Sequence, residues 1–163
     1  MSDEMDDTVF NRICILLDEA DVAYVVRTHE PTRTSEDAAR ARNEDLSIGG
    51  KAVLIKVGDE FRLFVISASR RIDSRALRRH FGARKSRFAT AEELHQLTGL
   101  VPGSVPPFGH PVLPLDLYID RSIADNQRIA FNAGSLTTSI IMAVSDYLRV
   151  AQPMCIEFAA AED

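Results

Sequence analysis

The chain has 163 residues, the length of one ordinary domain, and its 45% hydrophobic and 26% charged residues exclude a disordered, collagenous or coiled-coil chain. No apolar run approaches the roughly 18 residues of a membrane span, and the acidic start is the reverse of a signal peptide. Cys14 and Cys155 stand alone, which argues against disulfides and structural zinc. We therefore expect one cytoplasmic domain over residues 1–163, with a mobile acidic segment at residues 1–7 and no membrane partner.

The net charge of −5 conceals a strong segregation of charge along the chain. Residues 70–87 hold eight bases and one acid, a net charge of +7, so the remainder of the chain carries −12. A concentration of one sign in an acidic protein favours a binding surface for a polyanion. The alternative is a solvated helix face that binds nothing.

Helical and strand patterns alternate in the first half of the chain. Apolar residues at intervals of three and four predict an amphipathic helix that ends near Asp21. Thr34 precedes Ser35-Glu36-Asp37, and this hydroxyl with its following carboxylates suits the start of a second helix. Apolar and β-branched runs predict strands at residues 23–28, 51–57 and 61–68, the last two joined as an antiparallel hairpin.

The second half begins with a short helix capped by Asp73, on which Arg71, Arg75, Arg78 and Arg79 share an outward side. A capping box at residues 90–93 opens another helix that ends by Gly99, and residues 103–109 hold too much Gly and Pro for a regular element. The remaining elements are strands at residues 115–119, 128–132, 137–143 and 154–158 and a helix at 145–150. The interleaving of strands with short helices predicts an α+β fold.

Local motifs for common catalytic chemistries are absent. There is no G-x-S-x-G around a nucleophilic serine, and nothing nearby supplies a base for Ser104. The histidines at positions 29, 80, 95 and 110 are too widely spaced for a local metal pair, so neither a metal nor a cofactor is predicted. Gly49-Gly50-Lys51 lacks the spacing of a phosphate-binding loop.

Lys51 begins an apolar strand pattern, Ala52-Val53-Leu54-Ile55, that suits a central position in a sheet. A lysine there lies at the rim of a core, where its ammonium can bind a ligand. The alternative, which the residues by themselves favour, is a side chain that extends into water.

Four segments, taken in order, carry a resemblance to a known family. They are Thr28-His29-Glu30-Pro31 with residues 34–39, residues 50–56, Arg71-Ile72-Asp73, and residues 98–109. Over about residues 24–148 the chain resembles the YbaK-like, prolyl-tRNA synthetase-associated family of aminoacyl-tRNA deacylases. The strand lysine, Lys51, and the G-x-x-x-P loop from Gly103 to Pro107 are the most diagnostic features.

The resemblance implies a fold, an activity and partners. The fold is a single α+β domain with a curved, barrel-like, largely antiparallel mixed β-sheet flanked by short helices, in agreement with the element order above. The activity is hydrolysis of the ester of a mischarged tRNA, with tRNA for proline carrying alanine or cysteine as the expected substrate. The expected partners are the acceptor end of an aminoacyl-tRNA and an aminoacyl-tRNA synthetase, and the protein is expected to be a monomer or a weak homodimer.

The resemblance also assigns residues. Lys51 and Gly103 are expected to be catalytic, since an ammonium can hold a phosphate or ribose oxygen and a glycine-rich loop can direct amides at a developing oxyanion. Groups of the substrate itself would activate the water. The expected substrate-binding residues are His29, Thr34, Ser104, Val105, Pro107, Phe108, Gly109, Asn132, Ala133 and Gly134. The expected tRNA-binding residues are Arg70, Arg71, Arg75, Arg78 and Arg79.

Two differences from the family concern the amino acid that is removed. Some members carry an acidic residue on the strand that matches residues 137–143, where this chain has Thr137, Thr138 and Ser139. Others have a longer, histidine-containing turn in place of residues 132–136. Two alternatives to an editing enzyme stay open: a non-catalytic tRNA- or protein-binding module on the same fold, and a small-ester hydrolase unrelated to tRNA.

Overall fold

The computed structural model describes residues 8–32 and 34–162, so the expected mobile segment at residues 1–7 lies outside the described residues. The α-helices are α1 (Val9–Glu19), α2 (Ser35–Arg42), α3 (Ser74–Phe81), α4 (Ala91–Thr98), α5 (Arg121–Ala124) and α6 (Val144–Ala151). The strands are β1 (Tyr24–Thr28), β2 (Gly50–Val57), β3 (Glu60–Ser67), β4 (Ser86–Phe88), β5 (Leu117–Asp120), β6 (Arg128–Asn132), β7 (Thr138–Ala143) and β8 (Met154–Ile156). None of the helices described is long and apolar enough to cross a membrane.

Side-chain caps start α2, α3 and α4 where the sequence predicts them. The Thr34 hydroxyl accepts from the Asp37 amide at the start of α2, and Asp73 accepts from the Arg75 and Ala76 amides at the start of α3. Each bond satisfies an amide that the first helical turn leaves without a carbonyl partner. The capping box of α4 is also confirmed.

Two sheets build the domain. One has the order β1-β7-β6 and is antiparallel throughout. The other has the order β4-β2-β3-β5-β8, antiparallel from β4 to β3 and parallel from β3 to β8. A parallel bridge between Gly49 and Ala130 joins them. The largely antiparallel mixed pairing is confirmed, but in the described chain the two sheets do not close into a barrel.

The core lies on both faces of the larger sheet, because successive residues of β3 point to opposite sides. Leu63 and Val65 enter the main core, which α1, α6 and the smaller sheet complete. Phe64 enters a second core with Leu77 of α3 and Phe158 near the C-terminus. This second core fixes α3 and the chain around it against the sheet.

The basic segment of residues 70–87 contains a strand that the sequence does not indicate. The strand β4 pairs with the far end of β2, with Arg87 opposite Lys56. Three residues with two polar side chains show no hydrophobic alternation, so only pairing with β2 defines the strand. The short helix α5 is likewise unpredicted, and β5 begins at Leu117 rather than at residue 115.

Candidate functional site

A cavity of about 450 Å³ opens between α2, the beginning of β2, the loop after α4 and the end of β6. Seven residues singled out in the sequence line it: Thr34, Lys51, Arg70, Arg71, Gly103, Val105 and Asn132. The cavity also has charged side chains from four bases and one acid among the described residues: Arg42, Lys51, Arg70, Arg71 and Glu36. The excess of positive charge suits an anionic ligand.

Lys51 is the second residue of β2 and lies opposite Ile66 of β3. The Lys51 side chain is exposed at the cavity. The charged group thus lies at the edge of the core, although the strand to which it belongs is a central one. Within residues 8–32 and 34–162 no carboxylate or hydrogen-bond acceptor pairs with its ammonium. The ammonium is therefore available to a ligand.

The loop of residues 103–109 contributes Gly103 and Val105 to the cavity wall. Gly103 has φ +88°, in the left-handed region that favours glycine, and its carbonyl oxygen accepts from Asn132 Nδ2 at 2.7 Å. The amides of Gly103 and Val105 donate to no acceptor in the described part of the chain. These two N–H groups are donors of the kind that stabilise an oxyanion.

Six of the expected substrate-binding residues do not line the cavity: Ser104, Pro107, Phe108, Gly109, Ala133 and Gly134. The Ser104 hydroxyl donates to the Val101 carbonyl at 2.7 Å, and the Pro107 carbonyl accepts from the buried Tyr147 hydroxyl at 2.6 Å. A Cβ at Gly109 would overlap the carbonyl oxygen of Leu115. These contacts hold the loop against the core, and a role of these residues in substrate binding stays a prediction.

Phe108 is the apolar anchor of the loop. It is almost fully buried, and its ring lies edge to face with those of Phe131 and Tyr147, with centroids 5.5 Å apart in both pairs. Edge-to-face pairs add to the free energy of burial. The position of the cavity wall thus depends on the main core.

His29 does not line the cavity either, but it belongs to a polar network beneath it. Its Nε2 lies 2.8 Å from the Ser139 hydroxyl, and the oxygen of that hydroxyl accepts from Arg42 Nε at 2.9 Å. Arg42 Nη2 donates to Asn132 Oδ1 at 3.0 Å. His29 is therefore connected to Gly103 through three side chains, Ser139, Arg42 and Asn132.

Arg42 is the residue that the sequence analysis missed. Its side chain is buried, and this burial lowers its pKa to about 10. In the sequence it looks like a solvated residue at the end of a polar helix. The signal that could have identified it is its spacing from Ala38 and Ala39, which are buried on the same face of α2.

The arginines of the basic segment differ from the predicted outward row. Arg75 and Arg79 are exposed on α3, as predicted, but Arg78 is half-buried and donates to Ser86 Oγ at 2.9 Å. This difference arises because the pairing of β4 with β2 places Ser86 within reach of Arg78 on α3. Arg70 donates to the Ala160 carbonyl at 2.9 Å and lies 3.3 Å from a Glu162 carboxylate oxygen.

Known proteins resemble this chain in sequence. The sequence model of the aminoacyl-tRNA editing domain matches residues 29–150. The chain is 35% identical over 155 residues to the Multifunctional Ser/Thr-tRNA deacylase ProXp-y of Escherichia coli (strain K12), and this match covers 90% of both proteins. It is 28% identical over 108 residues to a proline–tRNA ligase of Macrococcus caseolyticus, a match that covers 66% of this chain and 19% of the ligase.

Solved structures share its fold. A protein described as a candidate trans-editing enzyme for prolyl tRNA synthetase superposes with a TM-score of 0.79 at 24% identity, over 94% of this chain and 98% of that one. A hypothetical protein superposes with a TM-score of 0.78 at 18% identity, over 91% and 99%. This likeness concerns the fold, and it confirms the predicted α+β class.

Proposed function

Because this chain belongs to the aminoacyl-tRNA editing domain family, we propose that its cavity receives the aminoacylated 3′ end of a tRNA and is the place where the ester is hydrolysed. The family and the enzyme class predicted from the sequence, aminoacyl-tRNA deacylase, are confirmed by the matches over most of the chain. The residues that act, the amino acid removed and the tRNA are parts of the proposal.

The observation that carries the proposal is that Lys51 and two loop residues whose amides have no acceptor in the described chain, Gly103 and Val105, line one cavity. The Lys51 ammonium holds a phosphate or ribose oxygen of the terminal nucleotide, which places the ester beside the loop. The amides of Gly103 and Val105 donate to the carbonyl oxygen as it becomes an oxyanion.

The chemistry is an ordinary ester hydrolysis. Water adds to the carbonyl carbon, the bond to the ribose oxygen breaks, and the ribose oxygen gains a proton as the free amino acid leaves. The vicinal hydroxyl of the ribose or the substrate's own side chain activates the water. The protein then positions the ester and stabilises the developing oxyanion electrostatically.

The proposed substrate carries a small amino acid, and we place serine and threonine ahead of the alanine or cysteine expected from the sequence. The E. coli relative is a Ser/Thr-tRNA deacylase by name. The cavity walls include Thr34, Ser35 and Asn132, which can hydrogen-bond a substrate hydroxyl. A site that pairs with a hydroxyl discriminates strongly against a substrate that lacks it.

The tRNA, the protein partner and the compartment are also proposed. Similarity to part of a proline–tRNA ligase supports tRNA for proline as the substrate and prolyl-tRNA synthetase as a partner. Monomer or weak homodimer remains the prediction for the assembly, to be checked by light scattering. A cytoplasmic location remains the prediction for the compartment, to be checked by fractionation.

The experiment that tests the proposal is a single-turnover deacylation panel. Wild-type protein is mixed with tRNA charged with serine, threonine, alanine, cysteine or proline, and Lys51→Ala is compared with it. We expect Lys51→Ala to lower the rate about 10–100-fold, the size of one lost charge-assisted hydrogen bond. Its thermal melt should be unchanged, because Lys51 contributes little to the core.

Lys56→Ala is the matched control, since Lys56 lies on the same strand outside the cavity. A wild-type rate in Lys51→Ala would remove the lysine from the mechanism. Binding of tRNA without hydrolysis of any ester would instead favour the non-catalytic module, the second candidate that the fold allows.

A further inference from the structure

Arg42 is a charged side chain in the interior of the protein. It is 6% exposed, and no carboxylate pairs with its guanidinium in the described residues. Its pKa of about 10 leaves it protonated at neutral pH. An unpaired buried charge is unfavourable for folding, so the contacts it makes must explain its position.

Donors and acceptors around Ser139 show which contact depends on Arg42. His29 Nδ1 lies 2.9 Å from the Glu30 carbonyl oxygen, which can only accept, so in the neutral ring Nδ1 carries the proton. His29 Nε2 then accepts from the Ser139 hydroxyl at 2.8 Å. The single Ser139 proton is thereby used, and it cannot also serve Asn132 Oδ1, 3.1 Å away.

Arg42 Nη2 is consequently the donor that holds Asn132 Oδ1. With Oδ1 directed at Arg42, the Nδ2 of the same amide faces the Gly103 carbonyl. Rotation of the amide by 180° would set its NH₂ against the guanidinium and its oxygen against the carbonyl of Gly103. The orientation of Asn132 therefore follows from Arg42.

We propose that Arg42 is a positioning residue for deacylation, which acts through Asn132 to hold the Gly103 carbonyl and so sets the direction of the loop amides. The positive charge polarises the Asn132 amide and strengthens its donation to Gly103. Small displacements of such donors have large effects on rate. The inference rests on the proposed role of the loop at the reacting ester.

A double-mutant cycle tests the chain of contacts. Arg42→Met replaces the side chain by an unbranched apolar one that cannot donate, and Asn132→Ala removes the amide that Arg42 holds. We expect each to lower the single-turnover rate about 10–100-fold at saturating protein while the Kd for tRNA changes less than twofold. The double variant should be no slower than the slower single variant, because both changes break the same connection between Arg42 and the Gly103 carbonyl.

Arg40→Met is the matched control, since Arg40 lies on the same helix, exposed and paired with Asp37. Its rate should equal that of the wild type. If Arg42→Met does not fold, Arg42→Lys takes its place in the cycle, because lysine keeps the charge but not the planar donor geometry. A wild-type rate in the folded Arg42 variant, or effects that multiply in the double variant, would overturn the proposal.

A second measurement is independent of activity. The amide resonance of Gly103 in ¹H–¹⁵N spectra should shift in both Arg42→Met and Asn132→Ala and should stay in place in Arg40→Met. An unchanged Gly103 resonance in the two network variants also overturns the proposal. If wild-type protein hydrolyses none of the esters, the proposed function fails, whereas the spectra still decide whether Arg42 positions the loop.

Discussion

The cavity region and helix α3 of the basic segment both concentrate positive charge, but they hold it in different ways. In the cavity region, Arg42 is buried with its donors directed at Ser139 and Asn132. On α3, Arg75 and Arg79 extend into solvent and have no ion-pair partner in the part of the chain that the structure describes. Charge held by packed partners can direct a chemical group, whereas charge on an exposed face contributes a general attraction.

The cavity wall depends on the core beneath the loop, whereas the exposed face of α3 does not. Phe108→Ala should therefore cause the largest loss in the free energy of unfolding. Truncation of a buried phenylalanine leaves a cavity, and we expect a loss of about 3–5 kcal/mol in the free energy of unfolding. Arg79→Ala should change it by less than about 0.5 kcal/mol. Denaturant unfolding of both variants measures this contrast, and a loss below about 1 kcal/mol for Phe108→Ala would contradict the anchoring of the loop.

Gly103→Ala should alter the site with a smaller effect on the fold. The backbone has φ +88°, and an added Cβ would lie 3.3 Å from Leu136 Cδ2, so we expect a loss of about 1–3 kcal/mol and altered relative rates in the aminoacyl-tRNA panel. Gly82→Ala is the control, because it has φ +63° and an open surrounding outside the cavity. Identical substrate preference in wild type and Gly103→Ala would show that the loop does not determine substrate specificity.

The basic segment is examined by a double variant, Arg75→Ala with Arg79→Ala. If both arginines contact tRNA phosphates, the variant should weaken binding of every tRNA and reduce the slope of log K against log salt by about two. Exposed Arg121 and Arg149, changed together to Ala, provide a control of equal charge outside the segment. Fluorescence anisotropy at several salt concentrations makes the comparison, and an unchanged slope would indicate a solvated face.

The smallest expected effect concerns the ion pair between Arg87, the last residue of the basic segment, and Glu93. Arg87 lies 2.8 Å from Glu93 and lowers the pKa of that carboxyl from 4.5 to about 2. Because the folded-state pKa is depressed, the stabilisation is present above pH 4.5 and is lost as the pH falls toward 2. Glu93→Gln should flatten the fall of Tm in this interval, by a small amount because both side chains are accessible to solvent. Superimposable curves of Tm against pH would show that the pair contributes nothing.

Much of the local structure was readable from residue order. Thr34, Asp73 and Thr90 begin helices because their side chains satisfy amides within three residues, and such contacts need no other part of the chain. The hairpin of β2 and β3 likewise depends on neighbouring residues. Lys51 and Gly103 were found through their resemblance to a family, and the structure brings them to one cavity although 52 positions separate them.

Other features required the tertiary structure. Arg42 and Asn132 are ninety positions apart, and whether an arginine at the end of a polar helix meets water or a neighbour depends on how α2 packs against β6 and β7. The packing of Phe108 against the rings of Phe131 and Tyr147 likewise depends on segments distant in the chain. The hydrogen bond from Arg78 to Ser86, which keeps Arg78 from extending into solvent with Arg75 and Arg79, depends on the pairing of β4. By itself the sequence determined most of the elements and the caps of α2, α3 and α4, because short-range hydrogen bonds define them. Packing between segments distant in the chain decided β4 and the partners of long side chains.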